Sequence, residues 1–576
     1  MRALIPLLLV GCASAPRTAQ PEPHPGATWQ ARLEKAARSP EAWRARSEDI
    51  RRQILVSSGL WPEVDRGPVQ VELSGRVERD GYSVEKCALE TLPGFKLTAT
   101  LYRPLGKKGP FPAVANPHGH WKTGRFTDQA EASVPGRCIN FARMGMVALA
   151  YDMVGFGDLT PLGHKFGDVP WGVSLQGLQL WNSLKVVDFL CSLPEVDKTR
   201  VGVTGASGGG TQTFLLAAVD QRVTAAVPVN MVAAACQGGC LCENGPLLRL
   251  DLNNVEIAAS IAPRAALMLV SCTGDWTSDV PKVEGPAVQK AFDALGVPGK
   301  FRWIQNKADH NYNKDTREYV YAFFQEHLLG GPKVDRIAET PFTAEPRESM
   351  TLPVVGDLVR VAQQMRQAAP DRVALRHTFG IRVPAPDEIE RKGDVLVYKP
   401  FPGEIQLTGQ GSTLWVSSTP DSARMPLPEL RWTLSLDPRP REAPCNEGVR
   451  WTNDSYKKWM DPYPSTYYRT PLARGAQDVL AALAALPDVD VAAQGESAVA
   501  VLIARALRPG TSTLDLTGVD DSKIAQPGWL RLGGLKGVAS LLAGQPLTLI
   551  HPPFDAAPLK EAWAAAGKPE ALKVIP

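Results

Sequence analysis

Val201-Gly202-Val203-Thr204-Gly205-Ala206-Ser207-Gly208-Gly209-Gly210-Thr211-Gln212-Thr213 is the stretch whose reading decides the fold. Val201 to Thr204 reads as a short buried strand, and the apolar spacing from Gly209 to Val219 predicts a helix. Between them Gly205 to Gly209 fits G-x-S-x-G. In that setting small neighbours let the backbone turn sharply and leave the Ser207 hydroxyl exposed at the end of the strand, as a nucleophile elbow requires. A glycine-rich turn of this kind could also cradle a phosphate. The dinucleotide spacing with its ribose-binding acid and the Walker lysine are both missing, which argues against that use.

Working outward, strands are predicted at 96–102, 111–116, 146–151, 223–229, 265–271 and 300–304, and helices at 175–193, 283–295 and 315–328. Alternation of this length implies a mostly parallel sheet covered on both faces. Residues 29–60 place Trp, Leu and Ile at helical intervals, predicting one or two amphipathic helices before the sheet. The whole chain has 576 residues, 44% hydrophobic and 21% charged, which excludes intrinsic disorder and a small disulfide scaffold. A net charge of +3 provides no basic field, so nucleic acid is not an expected partner.

The expected organisation has a signal peptide over 1–11, a tether over 12–28, a catalytic domain over 29–331, a linker over 332–380 with a helix at 356–368, and a second domain over 381–576. The apolar run from Ala3 to Val10 is too short to span a bilayer. Leu9-Val10-Gly11-Cys12 has the form of a bacterial lipobox, so Cys12 is the expected lipidation site and the anchor the only expected membrane contact. With Ala13 following the cysteine, the protein is expected to be exported to the cell envelope, at the outer membrane. The last third looks like a worn repeat of the first domain. Leu486-Pro487-Asp488-Val489-Asp490 and Gly495-Glu496-Ser497 echo Leu193-Pro194-Glu195-Val196-Asp197 and Gly205-Ala206-Ser207, and Arg431 to Asp437 echoes Met146 to Asp152. Ser497 would keep the elbow serine, but Val499 replaces the second glycine and Ser418-Thr419-Pro420 stands at the first oxyanion segment. His551 stands where an acid belongs, and no histidine follows 572–575, so this domain is expected to be non-catalytic.

A serine nucleophile needs a base to take its proton and an acid to orient that base, and elbows of this kind place them in the order Ser, acid, His. Asp275 follows the predicted strand at 265–271, and His310 follows the strand at 300–304. Of the eight histidines only His310 and His327 lie between Ser207 and the linker, and His327 falls within a helix. The first oxyanion donor is the backbone N–H of Gly208, and the second comes from Gly119 or His120 in Pro117-His118-Gly119-His120-Trp121. His118 and His120 could suggest a metal pair, but no third ligand stands nearby in sequence, and neither metal nor cofactor is expected.

Residues 80–330 resemble α/β-hydrolases of the acetyl xylan esterase and cephalosporin C deacetylase type. The resemblance is carried by PHGHW at 117–121, YDMVGFGD at 151–158, VTGASGGGTQT at 203–213, VSCTGDW at 270–276 and ADHNYN at 308–313. It implies a Ser207-His310-Asp275 triad and removal of acetyl groups from acylated carbohydrate or other small esters. One segment departs from this pattern. Cys236-Gln237-Gly238-Gly239-Cys240-Leu241-Cys242-Glu243-Asn244 follows the strand at 223–229, where related glucuronoyl-type esterases carry their acid, and this makes Glu243 the alternative acid. The C-x₃-C-x-C spacing is too compressed for the usual zinc sites. It predicts structural thiols or one disulfide among Cys236, Cys240, Cys242 and Cys272. Two other functions compete. A serine peptidase of the prolyl oligopeptidase type would place its hydrolase domain after a propeller, whereas this elbow lies in the first half of the chain. A non-catalytic surface binding protein would have no chemical need to keep Ser207, His310 and the His-Gly-His segment together.

Overall fold

The computed structural model describes residues 29–63, 65–234, 237–400, 404–418, 431–436, 463–486 and 488–576. The expectations for the leader, the tether and Cys12, and those resting on Cys236, Thr419, Pro420, Asp437 and Pro487, lie outside the described residues.

The first sheet has nine strands: β1 (Gln70–Arg79), β2 (Tyr82–Leu92), β3 (Phe95–Pro104), β4 (Phe111–Pro117), β5 (Val147–Tyr151), β6 (Val196–Ala206), β7 (Val223–Val229), β8 (Ala266–Cys272) and β9 (Phe301–Asn306). Their order in space is β1-β2-β3-β5-β4-β6-β7-β8-β9. β1 to β3 form an antiparallel meander, β3 meets β5 antiparallel, and every later pairing is parallel. β4, β5 and β8 are buried along their whole length because helices cover both faces, which is why they read as short continuous apolar runs. β6 lies mid-sheet, with Val203 opposite Ala115 on one side and Ala226 on the other. The helices over Leu175–Ser192, Gly208–Val219, Glu284–Ala294 and Lys314–Leu329 fall where the periodicity predicts them. The β1–β2 hairpin and the helix Val134–Met144 are additions to that reading.

The second sheet repeats this plan. It comprises β10 (Ile389–Lys392), β11 (Val395–Tyr398), β12 (Glu404–Gly409), β13 (Thr413–Ser417), β14 (Trp432–Ser435), β15 (Asp490–Gln494), β16 (Ser512–Asp515), β17 (Leu547–Ile550) and β18 (Leu572–Ile575). Their order is β10-β11-β12-β14-β13-β15-β16-β17-β18, matching the first sheet strand for strand. The two elbows also correspond in conformation. Ser207 (φ 57°, ψ −125°) and Gly495 (φ 59°, ψ −138°) each precede a 12-residue helix. Each donates its N–H to the end of the next strand, Ser207 to Val229 O at 3.1 Å and Gly495 to Asp515 O at 2.8 Å.

This overturns the pairing of Ser497 with Ser207. Ser497 lies inside the helix Glu496–Leu507 and is buried, while the position that needs positive φ has gone to glycine. The second elbow therefore carries no hydroxyl. The segment expected as a linker packs against both domains. Its helix runs Leu358–Met365, Met350 enters the first core, and Leu375 and Phe379 of the helix Arg372–Phe379 enter the second. Among the described residues no helix is long and apolar enough to cross a membrane.

One buried ion cluster ties the loops above the first sheet together. Arg125 donates from its backbone N–H to Asp152 Oδ1 at 3.0 Å and from Nη2 to Asp158 Oδ2 at 2.6 Å, and its Nη1 also bonds Asp152. Arg125 Nη2 reaches Met350 O at 3.0 Å, and Thr98 donates to Asp152 Oδ2 at 2.8 Å. Burial works to raise the Asp152 carboxyl, but Arg125 and His118 outweigh it and hold it below its ordinary value. Arg125→Met should therefore cost about 3–5 kcal/mol at neutral pH by stranding two buried carboxylates. A depressed carboxylate contributes stability above its unfolded pKa and loses it as pH falls through the folded value. The gap between wild type and variant, measured by denaturant unfolding, should accordingly narrow below about pH 4.

Candidate active site

The elbow depends on backbone meeting backbone. A Cβ on Gly205 would stand 2.4 Å from Pro117 O, and one on Gly209 would stand 2.6 Å from His118 O. Only glycine at these two positions lets the 117–121 loop lie directly on the elbow. His118 fixes that loop from within: it is fully buried, its Nδ1 donates to Gly119 O at 2.7 Å, and its Nε2 accepts the Met153 N–H at 2.9 Å. Both nitrogens are committed to backbone, so His118 does not pair with His120 as a ligand.

His310 and Asp275 meet as the sequence predicts. His310 Nδ1 donates to Asp275 Oδ2 at 2.7 Å, and the Trp276 ring stacks on the imidazole with centroids 4.7 Å apart. Thr277 donates to Asp275 Oδ1 from its N–H at 2.7 Å and from its hydroxyl at 2.6 Å, and Cys272 Sγ donates to Oδ2 at 3.1 Å. Burial works to raise the Asp275 carboxyl, but the bonds from His310, Thr277 and Cys272 prevail and hold it below the usual range. The neighbouring Asn311 is tied back to the elbow, because Asn230 Nδ2 donates to Asn311 O at 2.7 Å and Asn230 directly follows the Val229 that receives the Ser207 N–H.

The Ser207 hydroxyl does not close the triad in this structure. Ser207 Oγ lies 3.3 Å from His120 Nδ1, while His310 Nε2 is buried without a hydrogen-bond partner. Bonds of this kind commonly tighten only when substrate binds. Gly208 begins the helix Gly208–Val219, so its N–H has no partner within the helix and is available to an oxyanion. A Cβ on Gly208 would stand 2.8 Å from His120 Cε1, so the His120 ring lies over this residue.

Glu243 lies on the other side of His120. Its Oε1 is 3.8 Å from His120 Nδ1, and its Oε2 accepts the Cys240 N–H at 3.1 Å. Burial pushes its carboxyl up to about 7, with the charge of His120 opposing. It makes no hydrogen bond to His310. Cys240, Cys242 and Cys272 are free thiols, so no disulfide forms among these three. Two of them have a different company from the expected one, since His120, His164, Cys240 and Cys242 bring their ligand atoms within 4.8 Å of one another. No sequence rule marks His164, which reaches this place only through the fold of the loop after β5.

The elbow, the parallel sheet beneath it and the Asp275–His310 pair define an α/β-hydrolase. Residues 78–232 match the family model described as Acetyl xylan esterase (AXE1), and residues 184–327 match the model described as BAAT / Acyl-CoA thioester hydrolase C terminal. The chain is similar to "Putative hydrolase YtaP" of Bacillus subtilis, with 26% identity over 307 residues, covering 48% of this chain and 98% of that one. It is also similar to the solved structure of methylesterase BT1017, with 31% identity, 56% of this chain and 71% of that one covered, and a TM-score of 0.49. A glucuronoyl esterase from Solibacter usitatus aligns at 15% identity over 50% of this chain and 93% of its own, with a TM-score of 0.39. The chain is an α/β-hydrolase related to acetyl xylan esterases, and its enzymatic class is carboxylic ester hydrolase.

Proposed function

We propose that the first domain hydrolyses esters carried by carbohydrate, with Ser207 as nucleophile, His310 as base and Asp275 as the acid that orients it. The observation that carries this reading is the 2.7 Å bond from His310 Nδ1 to Asp275, which leaves Nε2 buried, unpartnered and able to accept a proton. Rotation of the Ser207 hydroxyl away from His120 would bring its proton to His310 as Oγ attacks the ester carbonyl. The protonated imidazole then gives that proton to the leaving alcohol, and water releases the acyl group by the same steps in reverse roles. The N–H of Gly208, together with a donor from Gly119 or His120, faces the charge that develops on the carbonyl oxygen. The acetyl xylan esterase family match supports acetyl groups on a polysaccharide or smaller sugar as the substrate class.

A second reading rests on Glu243. It stands buried in the connection after β7, where the charges of His120 and His310 both act on its carboxyl against the effect of burial. In that arrangement Glu243 supplies the acid, and an ester of a uronic acid is the corresponding substrate. Kinetics separate the two. Ser207→Ala should lower turnover by about 10⁴- to 10⁶-fold under either reading. Asp275→Asn should cost about 10⁴-fold and Glu243→Gln far less if Asp275 orients the base, and the opposite ranking would favour Glu243. An aryl acetate, acetylated xylan and a methyl uronate compared in parallel identify the ester.

The leader supports the further proposal that the enzyme is exported and held at the envelope through acylated Cys12. Metabolic labelling with a fatty acid in a bacterial host should mark the wild type and not Cys12→Ser. An unlabelled wild type would leave an enzyme without this anchor.

A further inference from the structure

We infer that His120, His164, Cys240 and Cys242 form a tetrahedral zinc site beside the nucleophile. The four side chains come from three separate loops at the same end of the sheet: the loop after β4, the loop after β5 and the long connection between β7 and β8. Their ligand atoms all lie within 4.8 Å of one another, close enough for one ion to reach all four with a small inward movement of the side chains. This is the one group of its kind among the described residues.

The His164 tautomer is already set for a metal. His164 Nδ1 donates to Val154 O at 2.5 Å, which places the proton on Nδ1 and leaves a lone pair on Nε2. That Nε2 is buried without a hydrogen-bond partner of good geometry, and it faces the Cys240 sulfur. His120 Nε2 lies 3.1 Å from Cys242 Sγ. Thiols are weak donors, so without a cation the buried His164 Nε2 lone pair would face a poor partner, and His120 Nε2 would have only the Cys242 thiol. A second layer holds the cysteines. Cys240 O accepts the N–H groups of Glu243 and Asn244, each at 3.0 Å, and the Asn244 side chain at 2.9 Å, which folds 240–244 into a tight turn. That turn solves the problem posed by the compressed spacing, because one turn presents two sulfurs and the histidines arrive from other loops.

Two thiolates and two imidazoles in a tetrahedron favour zinc over the hard cations. Binding converts the two thiols to thiolates, and two protons leave to solvent as Zn²⁺ enters. All four positions are filled by protein, so the ion has no open place for water or an ester carbonyl and acts by holding the loops. It has one consequence for the chemistry, which rests on the esterase reading. With Nε2 on zinc, His120 carries its remaining proton on Nδ1, 3.3 Å from Ser207 Oγ. His120 is then a hydrogen-bond donor toward the nucleophile and cannot serve as its base.

The test begins with the purified full chain. Elemental analysis should find about one zinc per chain. Exchange of that zinc for Co²⁺ should give the visible absorption of a tetrahedral cobalt ion with sulfur-to-metal charge transfer. Cys240→Ser, Cys242→Ser and His164→Ala should each hold less than about a tenth of the wild-type metal after dialysis. Removal of zinc from the wild type should lower kcat about tenfold or more with KM changed less than about twofold, and zinc should restore it. If a variant fails to fold, the cobalt spectrum of the wild type still decides the site. A wild-type chain without metal that takes up no Co²⁺, or one with a Cys240–Cys242 disulfide by mass spectrometry, overturns the proposal. Metal content and the cobalt spectrum do not depend on ester hydrolysis, so failure of the site and failure of the functional reading are distinguishable.

Discussion

The arrangement of this molecule depends on a single strained turn. Ser207 holds a backbone conformation that side chains rarely adopt, with φ of 57° and ψ of −125°. Its N–H is tied to Val229 O, and glycine on either side admits the backbone of residues 117 and 118. Such strain persists only where the surroundings over-determine it. Here they do so from both sides: β6 is paired with β4 and β7, and the helix that follows is buried throughout. The loops after β4, β7, β8 and β9 then have one place to converge, above the hydroxyl.

The second domain meets the same constraint with a different residue. It retains nine strands in the same order and the same turn at Gly495, but glycine takes the conformation without the cost that a serine bears. Its contribution lies at the interface with the first domain. Leu247 N–H donates to Ser465 O at 2.7 Å, and Arg249 N–H to Thr466 O at 3.0 Å. Tyr467 OH accepts the Gln237 N–H at 2.9 Å and donates to Asn244 at 3.0 Å, while Tyr463 OH reaches Gly239 O at 2.8 Å. These bonds grip the 237–249 segment from outside, and that segment carries Cys240, Cys242 and Glu243. A domain whose elbow position is held by glycine thereby braces a loop of the first domain.

Most of the first sheet is legible in the sequence because its central strands are buried on both faces and read as short apolar runs, separated by longer helical patterns. The hairpin of β1 and β2 escapes this reading, since β1 is largely exposed and carries no apolar run. Asp275 and His310 are legible because the elbow fixes their order along the chain and strand ends fix their place. Ser497 misleads because similar residues recur two positions out of register with the turn, and backbone conformation rather than residue identity defines an elbow. The His120, His164, Cys240 and Cys242 group is illegible for another reason: its members come from loops whose approach no linear spacing encodes.

The central claim is that Ser207 is the nucleophile of an active hydrolase, and covalent trapping tests it most directly. A fluorophosphonate reacts with a serine only where a base and oxyanion donors activate it. Peptide mapping by mass spectrometry should find a single adduct, on Ser207, and none on the Ser207→Ala chain. Labelling of another serine in the folded chain, or a wild-type protein that hydrolyses esters yet remains unlabelled at Ser207, would contradict the account.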